Sequence, residues 1–176
     1  MNYLHKIGYF GPVTLLILIL LMFLTTAHPY NIYLYVYVIA WQLLNHFSNI
    51  VIKNTLKHPR PDSYLNKEFK NLNPTIYNYF SIHRNFGMPS GHAQQVCSEM
   101  TFIILYFKNP IITMLSIFQS CITVWQRHSA RRHDIKQLAI GSLIGIISGF
   151  IFYKSNAIFQ QDSKSKEVKI TETIKD

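Results

Sequence analysis

Residues 137–153, QLAIGSLIGIISGFIFY, form an apolar run in which Gly141, Gly145 and Gly149 recur at every fourth position. The run approaches the length of about 20 apolar residues that a helix needs to cross the hydrocarbon core of a bilayer. Glycines spaced in this way lie on one face of a helix and let a second helix approach closely. The stretch therefore predicts a membrane-spanning helix that packs tightly against another helix.

Four other segments of the chain have a similar apolar character. Residues 10–27 are the most apolar, and we interpret them as a span rather than a signal peptide because the run is longer than a usual signal hydrophobic region. The remaining segments are residues 32–52, 92–107 and 110–126. With 49 % hydrophobic and 14 % charged residues, the chain is predicted to be an all-α integral membrane bundle with about five transmembrane helices.

The 176 residues are within the range of one domain, which we place at residues 1–159, followed by a polar tail over residues 160–176. The net charge of +9 favours anionic lipid head groups or a phosphate-bearing ligand as partners, whereas the hydrophobicity argues against nucleic acid. Cys97 and Cys121 lie inside apolar segments, where a thiol is more often a packing residue than a metal ligand or half of a disulfide.

Polar residues in the segment 32–52 are not scattered. Gln42, Asn45, His46 and Asn49 follow the spacing of one helical face, and Lys53 continues it one turn later. Since lipid does not tolerate such a stripe, this face is predicted to point into the protein.

Five spans place the connections at residues 53–91 and 127–136 on the same side of the membrane, because two spans separate them. The first connection is long, and loops of this length are often functional. Its aromatic residues include Tyr77, Tyr79, Phe80 and Phe86.

Three clusters of basic or hydroxyl-bearing residues lie on that side. In KNTLKHPRP, residues 53–61, six residues separate Lys53 from Arg60. In GMPSGH, residues 87–92, Ser90 is a candidate N-cap, and free amides at a helix start form an anion site. In QRHSARRHDIKQ, residues 126–137, five residues separate Arg127 from His133. Each cluster alone is typical of interface anchors or helix caps.

Taken together, the ordered clusters resemble the type 2 phosphatidic acid phosphatase superfamily, in its membrane-bound branch. The family pattern has Lys, six residues and Arg-Pro, then Pro-Ser-Gly-His, then Ser-Arg, five residues, His, three residues and Asp. The matching positions are Lys53, Arg60, Pro61, Pro89, Ser90, Gly91, His92, Arg127 and His133.

The resemblance implies a role for each matching residue. His133 would attack phosphorus to form a phosphohistidine, and His92 would protonate the leaving oxygen and later activate water. The phosphate would be bound by Lys53, Arg60, Ser90, Gly91 and Arg127. This scheme requires no metal and no other cofactor.

Two positions depart from the family pattern. Gln126 stands in place of Ser, and Gln137 stands in place of the Asp that would orient the nucleophilic histidine. At i+4 on a helix, the Gln137 amide oxygen can reach the same imidazole nitrogen, although it brings no negative charge. Asp134 is predicted to point about 100° away from His133. Glu99, two turns after His92 and inside a span, is the other candidate to replace the family Asp, and a structural hydrogen bond with the polar stripe is the interpretation that we favour for it.

These residues predict a membrane phosphatase acting on a lipid phosphate monoester or an isoprenyl diphosphate. The alternative is a weakened relative that binds phospholipid head groups without turnover, which the two glutamines motivate. A metal site built from His128 and His133 is disfavoured because their spacing is poor for one helical face and the surroundings are cationic.

Overall fold

The computed structural model describes residues 3–25, 31–61 and 86–173, and the regular elements in these ranges are α-helices. The helices are α1 Tyr3–Tyr9, α2 Gly11–Thr25, α3 Asn31–Leu56, α4 Gly91–Phe107, α5 Pro110–Ser129 and α6 Ile135–Thr173. The prediction of an all-α protein is confirmed.

The most extensive helix contact joins α4 to α6, and the glycine stripe of α6 makes it possible. A Cβ atom at Gly141 would lie only 2.6 Å from the backbone oxygen of Ser90. Gly145 and Gly149 meet the α4 backbone in the same way, one and two turns further along. The predicted close approach is confirmed, and it packs α6 against α4 from Ser90 to Thr101.

The polar stripe of α3 faces the protein, as predicted. Asn49 Nδ2 donates to Gln94 Oε1 at 2.8 Å, and Gln94 Nε2 donates to Asn45 Oδ1 at 2.8 Å. Near the middle of α3, Gln42 Nε2 donates to Glu99 Oε1, also at 2.8 Å. A ladder of side-chain hydrogen bonds therefore joins α3 to α4.

The far end of the bundle is held by aromatic packing. Phe23 of α2, Phe102 of α4 and Phe152 of α6 are almost fully buried, and the Phe102 and Phe152 ring centroids are 4.4 Å apart. The outward faces of the helices carry large apolar side chains instead, such as Leu43 at 66 % exposed and Met114 at 71 %. An apolar exterior of this kind suits lipid rather than water.

Within the described ranges, Ile135–Ile158 of α6 is long and apolar enough to cross a membrane by itself, with a mean hydropathy of 1.8. Helices α1 and α2 satisfy the same criteria as a pair, but they meet at a bend of 61°. The span predicted over residues 10–27 is therefore preceded by a separate short helix. Helix α6 also continues through polar residues to Thr173, in a segment without the glycine or proline that would end it.

Candidate active site

The three clusters found in the sequence converge at one end of the bundle. Lys53 lies in the last turn of α3, His92 in the first turn of α4, and Arg127 in the last turn of α5. They share a cavity of about 820 Å³. Its lining includes the predicted site residues Lys53, Arg60, Gly91, His92, Arg127 and His133. Ser90 and Gln137 are fully buried behind that lining.

A short bridge orders the segment after α3. Pro59 pairs with Phe86 in an isolated β-bridge, and the Gly87 amide donates to the His58 carbonyl at 2.8 Å. The Arg60 guanidinium donates to the Arg132 carbonyl at 3.4 Å. These contacts join the first cluster to the second and third. Residues 62–85, with the predicted aromatic positions Tyr77, Tyr79 and Phe80, lie outside the described residues.

A tight connection between α5 and α6 carries His133. The Arg132 amide donates to the Arg127 carbonyl at 3.1 Å, and Arg131 adopts a left-handed backbone conformation with φ of 52°. Asp134 then caps α6, since its carboxylate accepts the Gln137 amide hydrogen at 2.8 Å. The chain reversal turns His133 inward, where it is 2 % exposed.

Gln137 contacts the predicted nucleophile directly. The distance between His133 Nδ1 and Gln137 Oε1 is 3.1 Å. On the other side of the amide, Gln137 Nε2 donates to the Pro59 carbonyl at 2.8 Å and lies 3.1 Å from His58 Nδ1. Because a carbonyl oxygen can only accept, the NH₂ group must face Pro59 and the amide oxygen must face His133. His133 Nδ1 is therefore the protonated nitrogen, and Nε2 keeps its lone pair.

The two carboxylates weighed as substitutes for the family Asp lie elsewhere. Asp134 caps α6, as described above. Glu99 Oε1 accepts hydrogen bonds from Gln42 at 2.8 Å and from Gln95 at 3.0 Å. The predicted structural role of Glu99 in the polar ladder is confirmed.

The cavity is strongly electropositive, because the lining in the described part of the chain contains Lys53, Arg60 and Arg127 and no acidic residue. Burial, followed by the charges of Arg60 and Arg127, lowers the pKa of Lys53 to about 8. Burial, followed by the same neighbouring cations, also holds the pKa of His133 well below its usual range. The His133 imidazole is therefore neutral at pH 7, and the crowded cations favour binding of a multiply charged anion.

Ser90 occupies the N-cap position of α4, but its side chain makes no capping hydrogen bond. Its hydroxyl is buried and has no hydrogen-bond partner among the described residues. Gln126 is 3 % exposed and does not line the cavity. It lies against Gly8 of α1, where a Cβ atom would come within 2.5 Å of the Gln126 Cβ.

Tyr9, at the end of α1, also lines the cavity, and the sequence patterns did not identify it. Its ring centroid lies 5.7 Å from that of His92, and the Arg127 guanidinium carbon is 5.9 Å from the Tyr9 ring. Tyr9 precedes the first predicted span and belongs to none of the three clusters. No local signal in the sequence marks it as part of the site.

His128 and His133 face different cavities. His128 is exposed and lines an apolar cavity of about 570 Å³ between α4, α5 and α6, together with Cys97 and Cys121. In the ranges covered by the structure, no group of three His, Cys, Asp or Glu side chains is arranged to hold a metal ion.

The chain was compared with known protein families by sequence. The sequence profile of the PAP2 superfamily matches residues 15–160, which include all three clusters. The chain belongs to the PAP2 superfamily. The resemblance found in the motifs is thereby confirmed, and the PAP2 profile covers helices from α2 to the middle of α6.

A curated relative of this PAP2 chain is the protein named dolichyldiphosphatase from Saccharomyces cerevisiae. The two are 28 % identical over 122 residues, which cover 64 % of this chain and 47 % of the relative. The chain thus spans about half the length of the curated relative that it matches. No solved structure matches the chain.

Proposed function

We propose that the chain is a multi-pass membrane phosphatase that hydrolyses a lipid phosphate monoester or an isoprenyl diphosphate. The observation that carries the proposal is the pairing of His133 with Gln137 beside three cations in one cavity. Membership of the PAP2 superfamily supports phosphatase chemistry. The name of the yeast relative supports an isoprenyl diphosphate as one substrate to test.

In the first step, Lys53, Arg60 and Arg127 bind the non-bridging oxygens, and the buried Ser90 hydroxyl and Gly91 amide assist them. His133 Nε2 attacks phosphorus with its lone pair while the bond to the leaving oxygen breaks. His92, which is charged while the anionic phosphate is bound beside it, gives a proton to that oxygen. The products are a phosphohistidine and an alcohol, or an isoprenyl monophosphate when the substrate is a diphosphate.

In the second step, His92 accepts a proton from water as the water oxygen attacks phosphorus. The nitrogen–phosphorus bond breaks, and its electron pair returns to His133. Inorganic phosphate leaves, and His92 regains the proton that the next turnover needs. Gln137 holds His133 in the same tautomer through both steps, since its oxygen accepts only from Nδ1–H.

A second candidate function is phosphate binding without turnover, and the neutral side chain of Gln137 favours it. A carboxylate at this position would stabilise the cationic imidazole that forms during attack, whereas an amide does so only as a dipole. The binder and the enzyme differ in one observable, because only the enzyme forms a covalent bond from His133 to phosphorus.

The test uses purified full-length protein with phosphatidic acid, phosphatidylglycerol phosphate and isoprenyl diphosphates. We expect release of inorganic phosphate from at least one of them, and an acid-labile phosphohistidine that disappears in His133→Ala. The matched control is His128→Ala, since His128 lies in the same region but faces the other cavity. No phosphate release from any substrate, by the natural protein or by Gln137→Asp, would contradict the proposal.

A further inference from the structure

The bend between α1 and α2 forms one wall of the cavity. This elbow consists of Tyr9, Phe10 and Gly11, where the two helices meet at 61°. Tyr9 and Phe10 both line the cavity, and their ring centroids are 5.1 Å apart in an edge-to-face arrangement. None of these residues belongs to the motifs that define the rest of the site.

Tyr9 contacts two of the residues assigned to the reaction. Its ring lies 5.7 Å from the His92 ring, at an interplanar angle of 44°. The same ring lies 5.9 Å from the Arg127 guanidinium carbon, within the range of a cation–π contact. The elbow therefore contacts both the proposed acid and one phosphate-binding cation.

The elbow is fixed in place by close packing on α5. A Cβ atom at Gly8 would lie 2.9 Å from the Ile122 carbonyl oxygen as well as 2.5 Å from the Gln126 Cβ. The side-chain amide of Gln119 donates to the Ile7 carbonyl at 3.0 Å. Because α1 approaches α5 so closely at Gly8, a larger residue there must move the elbow.

We propose that Tyr9 is a positioning residue of the active site, whose ring packs against the His92 ring and the Arg127 guanidinium and keeps His92 in place for proton transfer. This inference rests on the proposed phosphatase function. It adds α1, which lies outside the segment matched by the family profile, to the parts of the chain that the chemistry needs.

The test compares phosphate esters whose leaving groups differ in basicity. A misplaced acid slows the release of a basic alkoxide more than that of p-nitrophenolate, which leaves without a proton. In Gly8→Ala, we expect kcat to fall about 100-fold on an alkyl phosphate and less than about 10-fold on p-nitrophenyl phosphate. The matched control is Gly149→Ala, which crowds α4 far from the cavity and should lower both rates equally.

Substitution of Tyr9 itself provides a second measurement that does not depend on moving α1. Tyr9→Ala removes the ring from Arg127, and we expect KM to rise about 3- to 10-fold from the lost cation–π contact. The inference is overturned if Gly8→Ala loses both activities equally or, where that variant does not fold, if Tyr9→Ala keeps the natural KM. A natural protein inactive on every phosphate ester would instead overturn the proposed function, and this inference with it.

Discussion

Gln137 combines two properties that a carboxylate at the same place would not have. Its oxygen accepts from His133 while its NH₂ group donates to the Pro59 carbonyl. In a serine-protease triad, exchange of Asp for Asn costs about four orders of magnitude because the wrong tautomer is stabilised. Here the Pro59 carbonyl prevents that outcome, since it forces the amide oxygen toward His133. Any loss of rate that Gln137 causes is therefore expected from the missing negative charge, and not from a wrong tautomer of His133.

Replacing Gln137 with Met tests this role. Methionine fills the enclosed space beside Gly87 but neither accepts from His133 nor donates to Pro59. We expect kcat to fall about 100-fold or more, because His133 loses its fixed tautomer, while KM changes little. Steady-state kinetics with a thermal unfolding measurement checks this. A kcat equal to that of the natural protein would show that Gln137 does not orient His133.

The pKa of Lys53 predicts the pH above which activity should fall. Burial and the neighbouring cations lower its pKa to about 8, so the ammonium is present below that pH and lost above it. Because phosphate binding needs the charged form, kcat/KM should fall as the pH rises through about 8. In Lys53→Arg, the fall in kcat/KM should move to higher pH, because a guanidinium stays protonated. If kcat/KM of Lys53→Arg instead falls at the same pH as that of the natural protein, the titrating group is another residue.

The contact between α4 and α6 controls the positions of both ends of the site. Helix α4 begins at Gly91, directly before His92, and α6 carries Gln137 in its first turn. The Ser90 amide donates to the Gln137 carbonyl at 3.1 Å, which links the two helix starts. Since the glycine stripe sets how closely the helices approach, it also sets the distance between the helix starts that carry the proposed catalytic residues His92 and Gln137.

Crowding the middle of this contact should destabilise the bundle. In Gly145→Ala, the new methyl group meets the Gln94 carbonyl and the Cys97 side chain. We expect a loss of about 1 to 3 kcal/mol in the free energy of unfolding, as for other overpacked interiors. Unfolding in detergent measures it. Ile147→Ala, on the exposed face of the same helix, is the control and should have a smaller effect.

The whole bundle has a polar end and an aromatic end. The cavity, with its cations, lies where α3, α4 and α5 meet the connection to α6, and the aromatic cluster lies at the opposite end. The exposed apolar side chains surround the helices between these ends. This arrangement favours a bundle that lies across a bilayer, with the cavity at one interface.

Cysteine labelling tests that arrangement. In a chain with Cys97 and Cys121 replaced by Ala, single cysteines at Thr55 and Ser129 should react with a membrane-impermeant maleimide from one side. A cysteine at Lys108, in the α4–α5 connection, should react only from the other side. Equal labelling of Thr55→Cys and Lys108→Cys in sealed vesicles would contradict a bundle that spans the membrane.

Much of this architecture follows from local patterns in the chain. The glycine spacing of residues 141–149 predicts the α4–α6 contact, and the stripe that begins at Gln42 predicts which face of α3 is buried. The three clusters can be recognised in the sequence because the proposed binding residues within a cluster are separated by a fixed number of positions. Helical periodicity is a property of neighbouring residues, so it can be read before any packing is known.

Other features depend on groups that are distant in the chain and adjacent in space. The orientation of the Gln137 amide depends on the Pro59 carbonyl, which lies 78 residues earlier. The Tyr9 ring lies beside His92 because the chain bends by 61° at the elbow and because α1 packs on α5. Spacing along the chain carries no information about such contacts, since hydrogen-bond partners across helices are set by the packing of backbones and side chains. The helical bundle and the proposed phosphate-binding residues can thus be predicted from local sequence, whereas the contacts that Gln137 makes with His133 and Tyr9 with His92 depend on tertiary packing.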